Sequence, residues 1–191
     1  MALLHRADLT PSKLELLAGW APTQPWFVGD KAAPFTTVAS FRFDDPDGQV
    51  GVETLLVRAG DGPVMQIPLT YRNEALEGGE EHYLGTMEHS VLGTRHTYDA
   101  IGDPVYRAAL ATAILTGGSQ AELWIEIAGV MTRREPSAVV VGSGHETAPD
   151  LDGVSVEIVR VPGSAERGPW VLTGTWTDHP EASVLASAAA R

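Results

Sequence analysis

From residue 34 to residue 71 apolar and polar positions alternate with a period of two, interrupted by short turn sequences. The alternation predicts strands over 35–43, 49–58 and 64–71. Asp44-Asp45-Pro46-Asp47-Gly48 and Gly60-Asp61-Gly62 read as the turns between them. Within the second strand, Val50, Val52, Thr54 and Leu56 share one face. Turns this short cannot carry a parallel crossover, so the segment is an antiparallel meander. Residues 73–81 form a polar, acidic loop, and 82–90 and 94–98 are two further strands joined through Val91-Leu92-Gly93.

The period changes to that of a helix twice. Thr10 and Pro11 read as a cap and a first helical residue, opening a short helix over 11–18 with Leu14 and Leu17 inward and Gly19 at its end. Asp103 and Pro104 repeat that signal more strongly. Val105, Ala109, Leu110, Ala113 and Ile114 form an apolar stripe, and Gly117-Gly118 ends the helix. Beyond it lie strands over 121–127, 138–141, 154–161 and 170–176, with Gly-rich polar loops, above all 142–153. The Ala/Ser-rich end, 181–191, reads as a tail in which Asp178 and Pro180 start a helix only if it has a surface to dock on. The fold class is therefore α+β. Residues 1–117 form a curved antiparallel sheet packed against helices, and 118–191 form a β-rich extension with an Ala-rich tail.

Charge narrows the partners. The 191 residues carry 13 Lys and Arg against 25 Asp and Glu, a formal charge of -12. That balance argues against nucleic acid and anionic membranes, both of which need a positive footprint. Only Lys13 and Lys31 are lysines. The absence of Cys excludes thiolate chemistry and disulfides and suits a cytoplasmic location. The apolar start, Ala2-Leu3-Leu4, is too short for a signal-peptide core.

Candidate chemistry is thin. Glu80, Glu81, His82, Glu88, His89, His96, Asp99 and Asp103 form the densest polar cluster, with residue types that bind metals or move protons. The three histidines are spaced seven apart, which puts no pair on one strand face, and neither H-E-x-x-H nor H-x-H occurs. No metal or cofactor is expected. Gly142-Ser143-Gly144-His145-Glu146 has the look of a phosphate loop, but no lysine comes after it and it reads better as a flexible hairpin. Arg95, Tyr98 and Asp99 are candidates for an Arg–carboxylate clamp ahead of the second helix. Trp20, Trp26 and Trp124 suit a core, with sugar stacking as the alternative.

Several of these residues carry a resemblance. Gly19-Trp20-Ala21-Pro22-Thr23-Gln24-Pro25-Trp26-Phe27-Val28-Gly29 resembles the opening block of the maltokinase N-terminal cap domain. Gln66-Ile67-Pro68-Leu69-Thr70-Tyr71 is similar to a strand of that family. Met87-Glu88-His89-Ser90-Val91-Leu92-Gly93 and Tyr98-Asp99-Ala100-Ile101-Gly102-Asp103-Pro104-Val105-Tyr106 resemble its third block. The likeness spans about residues 15 to 118 and implies a cystatin-like cap. Pro25 stands where the family opening has Arg.

In the full-length kinases the cap precedes catalytic lobes that phosphorylate maltose or an amino sugar with ATP and magnesium. The catalytic-loop and metal-binding signatures of those lobes do not occur here, and Arg160 stands in the strand where a phosphate-anchoring lysine would be sought. The expectation is thus a non-catalytic, cytoplasmic accessory protein of maltose, trehalose or α-glucan metabolism. It would work by contact with a carbohydrate enzyme or with itself. Trp20, Gln24, Trp26, Glu88, His89, Tyr98, Asp99 and Asp103 are its candidate signature residues, and none is assigned a catalytic role. The alternative is a small-molecule, sugar-like binder or enzyme using a pocket on the curved sheet, with Glu88, His89 and His96 as its polar groups. A divergent sugar kinase ranks below both.

Overall fold

In a computed structural model, residues 2–4, 7–127, 129–147, 149–164 and 168–190 are described. Ala148 of the 142–153 loop and Arg191 of the tail lie outside them. The chain opens with two short strands, β1 (Ala2–Leu4) and β2 (Leu9–Thr10), then helix α1 (Lys13–Trp20). The helix starts later than Thr10 and Pro11 suggest. Ser12 is its cap: the Ser12 hydroxyl accepts from the Glu15 N–H, and the Glu15 carboxylate accepts from the Ser12 N–H at 2.7 Å. This reciprocal pair satisfies two helix-end donors at once, which Thr10 does not do from within a strand.

The meander comes next as β3 (Phe35–Phe43), β4 (Gly51–Ala59) and β5 (Met65–Arg72), then β6 (Tyr83–His89) and β7 (Gly93–Asp99). With β2 they make a six-stranded antiparallel sheet in the order β2-β6-β7-β5-β4-β3. The sheet curls strongly into a half-barrel. Helix α2 (Pro104–Thr116) leaves the end of β7, with Asp103 accepting from the Val105 N–H and Gly117 closing it at φ 70°. Both ends match the sequence reading. The remainder is β8 (Leu123–Ile127), β9 (Val130–Arg134), β10 (Ala138–Gly142), β11 (Val154–Ile158), β12 (Trp170–Trp176) and β13 (His179–Ala190). Strands β10-β12-β13-β11 form an antiparallel sheet, while β1-β8-β9 form a small one in which β1 runs parallel to β8.

The Ala-rich end, read as a tail that turns helical only with a surface to dock on, is instead β13, a twelve-residue strand. Asp178 turns the chain at φ 65°, and β13 then pairs with both β12 and β11. Alanines favour a helix only where nothing else is offered. Here two flanking strands satisfy the backbone on both edges, and Ala186 and Ala188 are small enough to bury against α2. β9, which the alternation does not reveal, is exposed along its whole length.

Each face of the half-barrel has its own core. Leu55 and Val57 pack with Leu17 of α1, Phe35, Ile67, Leu69 and Met87. Val52 and Leu56, one residue out of step, pack with Tyr106, Leu110 and Ile114 of α2 and with Leu172 and Leu185 of the C-terminal sheet. The period of two sends neighbours on one strand into opposite cores. A bulge between Thr37 and Ala39 reverses the parity of β3, so Phe35 joins the first core and Ala39, Phe41 and Phe43 the second. Among the described residues no helix is long and apolar enough to cross a membrane.

Candidate functional site

The face of the half-barrel that carries α1 is apolar under the helix and polar beyond it. Arg42 of β3 stands opposite Glu53 of β4, and Gly51 stands opposite Tyr71 of β5. Arg42 lies between Phe41 and Phe43, whose side chains enter the other core, so its own is directed to this face. These residues line an open cleft of about 1270 Å³, with Arg95 of β7, Met87 and His89 of β6, and Leu123, Ile125 and Arg134 of the small β8–β9 sheet.

Glu53 is the centre of the cleft floor. It is 6% exposed, yet three donors converge on one of its oxygens, Oε2. Lys13 Nζ donates at 2.5 Å, Tyr71 Oη donates at 2.8 Å, and Arg42 Nη2 stands at 3.4 Å. Burial alone would raise the Glu53 carboxyl. Arg42, Lys13 and the Tyr71 hydroxyl outweigh it and hold the group at about 2. The same burial, with the Glu53 charge beside it, pushes the Tyr71 phenol well above its ordinary value. Lys13 also lies over the Tyr71 ring, 5.4 Å from its centroid.

The eight candidate signature residues do not meet in one place. Trp20 and Trp26 pack with ring centroids 5.6 Å apart and planes tilted by 56°, and the Arg160 guanidinium lies 4.3 Å over the Trp26 ring while donating to Asp99 Oδ2. Two signature residues, Trp26 and Asp99, therefore meet at one arginine, 61 positions from Asp99, and Trp20 packs on Trp26 beside them. The expected clamp around Asp99 is real but its arginine is Arg160. Arg95 instead donates to Asn73 Oδ1 at 3.3 Å and to the Leu92 carbonyl. Burial pushes the Asp99 carboxyl upward, and Arg160 pulls against it.

Asp103 caps α2 and also receives Arg72 in a two-pronged pair, both contacts 2.7 Å. Burial works against its charge, but the Arg72 hydrogen bonds prevail and hold the carboxyl below its ordinary value. Tyr98 accepts the Leu76 N–H on its hydroxyl at 2.9 Å and packs on Tyr83. Gln24 donates to the neighbouring Thr23 hydroxyl. At the β6–β7 turn, Glu88 accepts from Thr94, and His89 Nδ1 accepts the Val91 and Leu92 N–H groups. Of the polar groups expected in a sheet pocket, His89 lines the cleft; Glu88 and His96 do not.

Sequence reasoning missed Lys13, Arg42, Glu53 and Tyr71. One signal pointed there: Glu53 interrupts the apolar run of β4. The phosphate-like loop has a structural use. Gly144 and Glu146 donate their N–H groups to the Ile114 and Leu115 carbonyls at the end of α2, at 2.8 and 2.9 Å. Those two N–H groups are therefore committed to the helix and closed to an anion. No group of three or more His, Asp or Glu suited to a metal ion occurs among the described residues.

Residues 20–103 match the family described as the maltokinase N-terminal cap domain. All eight signature residues fall within that stretch, with Trp20 and Asp103 at its ends. No curated protein and no solved structure matches the chain.

Proposed function

We propose, from the match of residues 20–103 to the maltokinase N-terminal cap domain family, that this chain is a non-catalytic accessory module of maltose, trehalose or α-glucan metabolism. It acts in the cytoplasm, by contact with an enzyme that handles those sugars. The state of the buried carboxylates carries this reading. Glu53, Asp99 and Asp103 each hold an arginine or lysine. A general acid or base works best with a pKa near the operating pH, and Glu53 is held at about 2. These groups support a rigid scaffold better than they support proton transfer.

The test is twofold. The purified chain is immobilised and offered enzymes that make, phosphorylate or polymerise maltose units, and it is assayed alone for ATP-dependent phosphorylation of maltose. The expected result is retention of one enzyme with no turnover. Turnover by the chain, or retention of none, contradicts the proposal.

The cleft favours a second reading, a sheet pocket for a sugar-like small molecule. Of the polar groups that reading calls for, His89 lines the cleft.

A further inference from the structure

The cleft lining carries four cations and five carboxylates, and they are not equally engaged. In a chain of charge -12, four of the 13 Lys and Arg residues line this one cleft: Lys13, Arg42, Arg95 and Arg134. The acids there are largely engaged. Glu53 is paired with Lys13, and Asp45 turns both oxygens inward to accept the Asp47, Gln49 and Val50 N–H groups. Asp44 is engaged within the fold as well, while Asp8 and Glu135 add charge to the lining.

Two of the arginines are under-satisfied. Arg42 reaches Glu53 only at 3.4 Å, and its Nε is buried without a hydrogen-bond partner. Arg95 has two acceptors on its Nη atoms, but its Nε is likewise buried and unpartnered. Both unpartnered groups are donors on cations. A buried donor left without an acceptor is costly, and a guanidinium meets a carboxylate or phosphate through paired N–H groups.

We infer that this cleft binds a small molecule bearing an oxyanion, a carboxylate or a phosphate, with Arg42 and Arg95 as its anchors. The inference rests on the sugar-pocket reading and gives that pocket a ligand class. It is independent of any enzyme partner. The Gly142–Gly144 loop has no share in it, because its N–H groups serve the end of α2 and the β12 strand.

Isothermal titration calorimetry at constant ionic strength tests it, with inorganic phosphate, citrate and neutral maltose titrated separately into the full chain. Saturable binding of phosphate or citrate is expected, and which of the two binds more tightly identifies the oxyanion. Arg42→Gln and Arg95→Gln each weaken that binding by about tenfold or more, as expected for a lost charge-assisted contact. Arg58→Gln, at an exposed position outside the cleft, leaves it unchanged. Arg95→Gln keeps the test decisive if Arg42→Gln, beside Glu53, disturbs folding. Absence of binding by both anions, or binding of equal strength in Arg95→Gln, overturns the inference. Binding of maltose alone, insensitive to both substitutions, also overturns it while leaving a sugar pocket in place.

Discussion

Glu53 shows how one residue sets the acid response of the chain. Its carboxyl titrates at about 2 in the fold against an ordinary value of 4.5. The stability this adds is fully present above pH 4.5 and is lost as pH falls toward 2, and it amounts to about 3 kcal/mol. Glu53→Gln removes the charge that Lys13 and Arg42 share. The variant is expected to lose about 3 kcal/mol at pH 7, and its stability should change less between pH 7 and pH 3 than that of the parent. Urea denaturation at the two pH values measures both quantities. An equal pH response in parent and variant would show that Glu53 is not the responsible group. None of this could be read locally, because Lys13 and Glu53 are 40 positions apart. Periodicity places a residue on a face; it does not say which distant residue faces it.

Elements with strong local punctuation were legible. Strands 35–43 and 170–176 have the bounds their alternation predicts, and α2 starts and stops where Asp103, Pro104 and Gly117 say it should. The failures have physical causes. β9 is exposed at every position, so no alternation marks it. β13 is a strand because two neighbours pair with it, which outweighs the helix propensity of alanine. The 142–146 loop looked flexible because it is rich in glycine, whereas the glycines are there for close approach. A Cβ on Gly142 would collide with the Ala113 carbonyl, and one on Gly144 with the Leu115 carbonyl. Gly144→Ala must therefore push the loop off the end of α2 and break two hydrogen bonds. The expected loss is about 3 kcal/mol, read from the midpoint of thermal or urea unfolding. A change below about 0.5 kcal/mol would mean that the loop does not cap the helix.

On the scale of the whole molecule, Arg160 ties the half-barrel to the C-terminal third of the chain. It pairs with Asp99, covers Trp26, and its carbonyl accepts the Gln66 N–H at 2.7 Å. Gln66 extends the joint, donating from its side chain to the Val159 and Leu185 carbonyls. In the sequence Arg160 stands out only as a position lacking lysine; Trp26 reads as a core or family-pattern residue, and Asp99 as a clamp candidate paired with the wrong arginine. The structure joins them into one device. Arg160→Met leaves Asp99 buried without its counter-ion, and about 3 kcal/mol of stability should go with it. Asp99→Asn in that background restores part of the loss, since the uncompensated charge is gone; urea titration of the single and double variants checks both.

Around the two cores, Glu53, Asp99 and Asp103 are each committed to a cation, and the proposed binding module rests on that commitment. The most direct test is retention of maltose-, trehalose- or α-glucan-handling enzymes on the immobilised chain, with the chain's own ATP-dependent phosphorylation of maltose measured in the same preparation. The account predicts one retained enzyme and no phosphorylation by the chain alone. Phosphorylated maltose formed by the chain alone, or failure to retain any of those enzymes, would contradict it.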